Sequence, residues 1–373
     1  VNIQDECIPP SGYYRTIDDW IEASVTKDTP SYSMTMRNGR YVKIPPPVGL
    51  EEPPHWAFRH SFSTTIRERH GTVAIIPGGK VCGLACDIVT PDNMLIGDCT
   101  LDRKHSPSER NISKISVMPP LQKSPYPVAV LALKDSGIYY HWMMDVLPLL
   151  HLLRECGVAP RTYVINGKSS AQFQYRTLEA LGIPREQIVE SGPSLHLQSR
   201  LLVIPRCVGK FRSRWSIDFL RRELMTANGI MPSPGKERIY ISREKAKKRK
   251  LLNEEAVMDV LGGLGFRKVY LEDMPFLDQV RLFASAEAVA GPHGAGFTNT
   301  VFCNPGTRVI EMFSPRLVHT CYPMLSGQLG LCHYYLVGEG PRPPEYKDTH
   351  DRSADIKVDI DKLKRILDIA GIR

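Results

Sequence analysis

The chain contains no run of about 18 consecutive apolar residues, the length a helix needs to cross a bilayer. Dinucleotide chemistry also lacks its signature. No Gly-x-Gly-x-x-Gly follows an early strand with an acid some way behind it, and the nearest fragment, Gly263-Leu264-Gly265, comes after a helical stretch. The nine cysteines are an odd number at irregular spacing, which argues for reduced thiols in a cytoplasmic protein rather than a disulfide framework. Cys82, Cys86, Cys99 and His105 cluster in sequence but miss the two-residue spacing of a zinc knuckle, so no metal site is expected. Asp-x-Asp, the usual device for holding a sugar diphosphate through a metal, occurs only as Asp359-Ile360-Asp361 near the end of the chain. There Asp361 is expected to cap a helix starting at Lys362. No repeat or low-complexity tract is apparent.

What is present is the composition of an ordinary folded protein: 373 residues, 42% hydrophobic and 24% charged. That length suits two domains better than one core. Thirty prolines gather toward the first third, as in Pro45-Pro46-Pro47 and Pro53-Pro54, and predict an irregular, wrapping segment over residues 1–70. The formal charge of +8 calls for anionic partners or a solvated surface. The densest basic stretch, Arg243 to Lys250, carries no interleaved aromatics, which disfavours a platform for single-stranded nucleic acid.

Beyond residue 70, short apolar runs alternate with helical stretches. Thr72 to Ile76, Val128 to Leu133, Thr162 to Ile165 and Leu201 to Ile204 are predicted strands. Ile138 to Cys156, kinked at Pro148, Ala171 to Leu181 and Ile217 to Ala227 are predicted helices. Gly229 to Gly235 reads as a linker. A second series follows, with strands at Arg238 to Ser242, Lys268 to Leu271, Ala288 to Ala290 and Arg308 to Met312. Its helices are expected at Glu254 to Leu261, Phe276 to Ala284 and Gly294 to Phe302. Alternation of this kind implies α/β architecture with two doubly wound Rossmann-like domains, expected to face a central cleft. The expected division is residues 1–210 for a first domain, 211–355 for a second, and 356–373 for a final helix packing back on the first.

Ligands of such sheets sit beyond the carboxyl ends of the strands. Four stretches there carry chemistry. Gly291-Pro292-His293-Gly294-Ala295-Gly296 through Asn299 follows a strand and opens a helix, so small residues admit a phosphate to free amides and His293 adds a hydrogen bond. Ser242 and Arg243 end a strand, with Arg249 in the same loop, and a guanidinium grips a diphosphate with two hydrogen bonds. Glu311 ends another strand, where a carboxylate suits ribose hydroxyls. In Tyr140-His141-Trp142-Met143-Met144-Asp145, His141 and Asp145 share a helix face. Either can remove a proton from an acceptor hydroxyl. Each stretch also has a plain structural reading: a glycine turn, surface charge, an exposed acid, and a satisfied His–Asp pair.

Taken together, these stretches resemble glycosyltransferase family 61, which includes plant xylan-decorating enzymes, O-linked GlcNAc transferases and bacterial polysaccharide enzymes. The resemblance rests on Tyr140 to Pro148, on Arg238 to Arg243 with Ala246, Arg249, Asn253 and Glu254, and on Gly291 to Gly296 with Asn299. It implies a GT-B fold and inverting transfer from a nucleotide diphosphate sugar, a UDP-sugar being expected, to a glycan or other hydroxyl acceptor. It also implies that neither metal nor other cofactor takes part. Arg243, Arg249, Ser242, His293, Gly294, Ala295, Gly296, Asn299 and Glu311 would line the donor site. Asp145 is the favoured base, with His141 second. Nucleic acid is not an expected partner, while the basic surface admits a peripheral membrane contact. The expected compartment is cytoplasmic, or the secretory lumen if an anchor precedes Val1. A non-catalytic binder of anionic polymers and an NAD-dependent oxidoreductase are the rival readings.

Overall fold

The structure is a computed structural model that describes residues 8–25, 32–102, 104–167, 171–209, 212–233, 235–347 and 351–373. Pro234 of the expected linker and the first seven residues lie outside these. The chain is mixed α/β and divides into two compact units. One holds residues 1–40 and 68–219, the other 41–67 and 220–373.

In the first unit, a six-stranded sheet carries four parallel strands. Val128–Val130 pairs with Thr162–Ile165, which pairs with Ile188–Glu190, and on its other side Val128–Val130 pairs with Leu201–Val208. The chain therefore builds outward in one direction and then crosses to the opposite side of its first strand. His70–Pro77 and Tyr32–Arg37 complete the sheet as antiparallel strands. The apolar residues read as strands are buried as expected: Val128, Val164 and Leu202 are fully enclosed. A second six-stranded sheet was not anticipated. It is assembled from short strands including Lys80–Cys82, Asp87–Val89, Met94–Ile96 and His196–Ser199. Runs of three residues are too short to show a period, so only pairing reveals them.

The second unit holds a five-stranded parallel sheet in the order Phe266–Val269, Glu237–Ile241, Ala286–Pro292, Arg308–Phe313, Cys332–Val337. Alternate residues of each strand face opposite sides. Tyr240, Ala288, Ala290, Ile310, Met312 and Leu336 form one core with Val257 and Leu261 of helix Glu254–Gly263 and Leu363, Ile366 and Leu367 of helix Ile360–Ile369. The final helix therefore packs on the second unit and not on the first, because its apolar stripe completes this core. Its cap also differs from expectation. Asp359 accepts from the backbone amides of Asp361 and Lys362 at 2.9 and 3.0 Å, which ties the Asp-x-Asp pair to helix initiation.

Residues 1–70 are not one irregular wrap. Helix Ile17–Val25 and strand Tyr32–Arg37 join the first unit, while residues 41–67 join the second. Val48 bridges Tyr334, and Phe58, wholly buried, packs on Tyr335 and Phe313. Aromatic burial of this size outweighs the irregular, proline-rich backbone around it. The second boundary falls at Phe219–Leu220, inside helix Arg214–Leu224, rather than at 210.

Candidate functional site

In the second unit, strand Glu237–Ile241 has its successor on one side and Ala286–Pro292 on the other. The chain reverses its direction of growth there, and in open α/β sheets ligands bind outside the carboxyl ends at that point. Both sequence-selected segments leave from those ends. Ser242 and Arg243 follow the first strand, and His293, Gly294, Ala295 and Gly296 follow the second.

The Arg243 and Arg249 guanidiniums are held by backbone carbonyls. Arg243 donates to the carbonyls of Arg249 (3.2 Å) and Lys248 (2.8 Å); Arg249 donates to those of His293 (3.1 Å) and Arg352 (2.8 Å). Neither makes an ion pair with a carboxylate among the described residues. Burial, and then the charge of Arg249, pushes Arg243 below its ordinary range. Burial lowers Arg249 likewise. Arg249 has φ 55°, the left-handed region, which a side chain enters at a cost of about 1–2 kcal/mol. Such strain is sustained where surrounding structure fixes a side chain for use. Gly294 is required by the same arrangement, since a Cβ there would collide with the Arg243 guanidinium. After it, Ala295–Phe302 forms a 3-10 helix whose first bond runs from Phe297 N–H to the Gly294 carbonyl, so the amides of Ala295 and Gly296 precede it.

His293 lies behind this turn at the end of a buried chain. Its Nδ1 is 2.5 Å from Glu311 Oε1, Glu311 Oε2 is 3.1 Å from His333 Nε2, and His333 Nδ1 is 2.8 Å from Ser326 Oγ. Glu311 is completely enclosed, and burial raises it well above the carboxylate range. Burial lowers His333 to about 3. Burial also holds His293 well below the imidazole range, aided by His319, Arg249 and Arg243. The sequence reading of Glu311 as an open ribose acceptor is therefore corrected: both oxygens face histidines. Ser242 is corrected too. Its hydroxyl donates to Glu254 at 2.8 Å and turns under the strand end. Asn299 is enclosed and donates to Gln279 (2.8 Å), so it braces the neighbouring helix Phe276–Ala284 instead of opening to a ligand.

In the first unit, His141 and Asp145 do meet. The helix expected over Ile138 to Cys156 is broken into Tyr139–His141, a π-helical turn Trp142–Val146, and Leu149–Glu155. Pro148 has no N–H, and Leu147 N–H reaches back to the Trp142 carbonyl at 3.0 Å. Asp145 Oδ1 accepts from Arg69 (2.6 Å), and Oδ2 accepts from Arg212 (2.8 Å) and lies 2.7 Å from His141 Nδ1. Burial opposes ionisation of Asp145, but the His141 hydrogen bond and the Arg212 and Arg69 charges outweigh it and bring the carboxyl down to about 2. A carboxylate so stabilised is a poor base, which reverses the preference for Asp145 over His141. Ionised Asp145 accepts from His141 Nδ1–H, which leaves Nε2 as the ring nitrogen not engaged by the carboxylate.

Sequence reasoning missed Arg69 and Arg212, each distant in sequence from Asp145. The only available signal was the basic cluster around Arg212 and Arg214. His333 and Ser326 were also missed, His333 because its strand was not recognised. Cys82 packs apart from Cys86 and Cys99, and among the described residues no three potential ligands gather as a metal site.

Known sequences supply the class. An EGF domain-specific O-linked N-acetylglucosamine transferase from Rattus norvegicus is 29% identical over 149 residues, 38% of this chain and 27% of that protein. The Canis lupus familiaris protein of the same name is 31% identical over 111 residues, 28% of this chain and 20% of its own. A Beta-1,2-xylosyltransferase of Arabidopsis thaliana is 32% identical over 95 residues, 22% of this chain and 18% of that protein. The class these relatives define is glycosyltransferase. The chain spans about a quarter of the curated relatives' length, or less.

A separate finding concerns the middle of the chain. Residues 139–310 match the family model Glycosyltransferase 61. This stretch runs from the start of the His141 helix to the residue before Glu311.

Proposed function

We propose that the chain is an inverting glycosyltransferase of GT-B type that moves a sugar from a nucleotide diphosphate donor, in the first instance a UDP-sugar, to a hydroxyl of a glycan acceptor. The observation that carries this reading is the pair of carboxylate-free guanidiniums, Arg243 and Arg249, beside the Gly294 turn at the reversal point of the sheet.

In this reading the donor diphosphate lies against Arg243, Arg249 and the amides of Ala295 and Gly296. These groups supply the positive potential that a leaving diphosphate needs, a role a divalent cation fills in other transferases. His293 is fixed by Glu311 and offers one ring nitrogen to the donor. The acceptor is received by the first unit. His141 Nε2 takes the acceptor hydroxyl proton as that oxygen attacks the anomeric carbon, and the bond from that carbon to the diphosphate oxygen breaks. The electron pair leaves with the diphosphate, and displacement from the opposite face inverts the configuration. Asp145 orients His141 and offsets the charge that its imidazole acquires, the arrangement of a base and its orienting carboxylate.

The test is a thermal-shift screen of nucleotide sugars followed by hydrolysis and transfer assays with those that bind. A donor at a hundred times its Kd raises native stability by about 2.7 kcal/mol. Melting raised by a nucleotide sugar, with sugar release that depends on Arg243, supports the reading. Indifference to every nucleotide sugar, alongside binding of anionic polymers that weakens with salt, would favour the polymer-binding rival.

A further inference from the structure

The buried chain of polar groups behind the glycine turn has a direction. Ser326, in helix Cys321–Leu329, is fully enclosed, and its hydroxyl has one partner among the described residues, His333 Nδ1 at 2.8 Å. A buried hydroxyl hydrogen without an acceptor is costly, so Ser326 donates and His333 Nδ1 accepts. His333 is then a neutral imidazole with its hydrogen on Nε2, which donates to Glu311 Oε2 at 3.1 Å. One oxygen of Glu311 is thereby fixed as an acceptor. The other, Oε1, meets His293 Nδ1 at 2.5 Å, and the sense of that bond decides what His293 can offer.

Three states complete the chain. An ionised Glu311 would accept from His293 Nδ1–H and leave a lone pair on Nε2. Glu311 has no exposed surface, however, and no lysine or arginine pairs with it among the described residues. Burial without a compensating cation favours the protonated carboxyl. A doubly protonated His293 beside an ionised Glu311 is opposed by burial of the ring, by His319 and by the guanidiniums of Arg249 and Arg243. The remaining state has a neutral Glu311 donating from Oε1 to Nδ1, with the ring hydrogen of His293 on Nε2. The ring is held in place, stacked on Phe313 at 5.2 Å and against Tyr322 at 5.5 Å. Its Nε2 has no hydrogen-bond partner among the described residues, and the side chain keeps 11% of its surface exposed.

We propose that Glu311 is a neutral acid and a positioning residue, holding His293 with its hydrogen on Nε2 so that the ring donates a hydrogen bond to the diphosphate. A lone pair at Nε2 would repel a phosphate oxygen, whereas an N–H there joins Arg243, Arg249 and the amides of the turn in facing the leaving group. Ser326 and His333 act one step further back, by fixing which oxygen of Glu311 accepts. This role rests on the transferase reading above, since it needs a diphosphate at the glycine turn.

Nuclear magnetic resonance of the full chain carrying isotope-labelled histidine reads the ring nitrogens directly, with His293 assigned by its loss in His293→Gln. The expected spectrum, with and without UDP, shows His293 with its hydrogen on Nε2 and a bare Nδ1. A hydrogen on Nδ1 with a bare Nε2, or a doubly protonated ring, would overturn the proposal. Two variants test it by UDP titration. Glu311→Met, of similar length but without a hydrogen-bonding group, is expected to weaken UDP binding by roughly tenfold. Glu311→Gln is expected to rescue it to within about twofold of the unaltered chain, because its carbonyl accepts from His333 while its amide N–H donates to His293, as a protonated carboxyl does. An ionised Glu311 accepts from both histidines, which an amide cannot reproduce. A Glu311→Gln protein that binds UDP no better than Glu311→Met, or that fails to fold, would therefore also overturn the proposal. Absence of UDP binding by the unaltered chain would instead overturn the transferase reading, and the spectrum of the free chain would still show whether Glu311 is a neutral acid.

Discussion

Replacing Asp145 by asparagine keeps the shape of the first-unit site and removes one charge. Asp145 is 13% exposed at its side chain, and Arg69 and Arg212 are 17% and 19% exposed. All three lie between a surface pair, worth about 0–1 kcal/mol, and a fully buried one, whose rupture costs about 3–5 kcal/mol. The carboxyl at about 2, against an ordinary 3.8, represents roughly 2 kcal/mol of preference for the ionised form. Asp145→Asn is thus expected to destabilise the protein by about 2–3 kcal/mol. The shift in melting is about 2–4 °C per kcal/mol for a unit of this size. The sign with pH follows from the depressed carboxyl: the stabilisation is complete above the unfolded value near 3.9 and fades as pH falls toward 2. Between pH 7 and 5 the wild-type advantage should therefore be constant. Activity is the sharper assay. With Asp145 as orienting group, the variant should lose roughly 10²–10⁴ in kcat. Activity that survives His141→Ala and is abolished by Asp145→Asn would restore Asp145 as the base and refute the reasoning.

Gly294→Ala is expected to fold, because Gly294 is in an extended conformation, but to displace the Arg243 guanidinium and weaken UDP binding at least tenfold in calorimetry. His333 binds no proton in the fold above about pH 3, whereas the unfolded chain takes one up near 6.5. Native stability is therefore lost as pH falls from 7 to 5, by about 2 kcal/mol for this group. His333→Gln should flatten that slope in urea titrations at the two pH values, and an unchanged slope would count against a neutral buried histidine.

Several parts of this molecule were legible from residue order alone. Helix Phe276–Ala284 and strand Thr162–Ile165 fall where their apolar patterns place them, and four of the second unit's five parallel strands were found to within a few residues. The glycine turn and Arg243 were likewise readable, because strand-to-helix junctions in α/β sheets advertise themselves locally. Partnership across sequence was not. Asp145 looks like a base until Arg69 and Arg212 close on it from segments about seventy residues away on either side. Glu311 looks like an open acid until two histidines cover it. Residues 41–67 look like wrapping until Phe58 is seen inserted against Tyr335. In each case a distant side chain changes the chemistry of a residue whose local pattern was read correctly. The π-helical turn shows the same limit at short range: Pro148 announced a kink but not the re-registered hydrogen bond of Leu147.

Isothermal titration of UDP into the full chain and into its Arg243→Ala variant tests most directly that these guanidiniums hold a nucleotide diphosphate. The account requires UDP to bind the unaltered chain, and the variant to lose at least tenfold in affinity, about 1.4 kcal/mol, with its fold intact. Equal affinity in the two proteins, or no UDP binding by either, would contradict it.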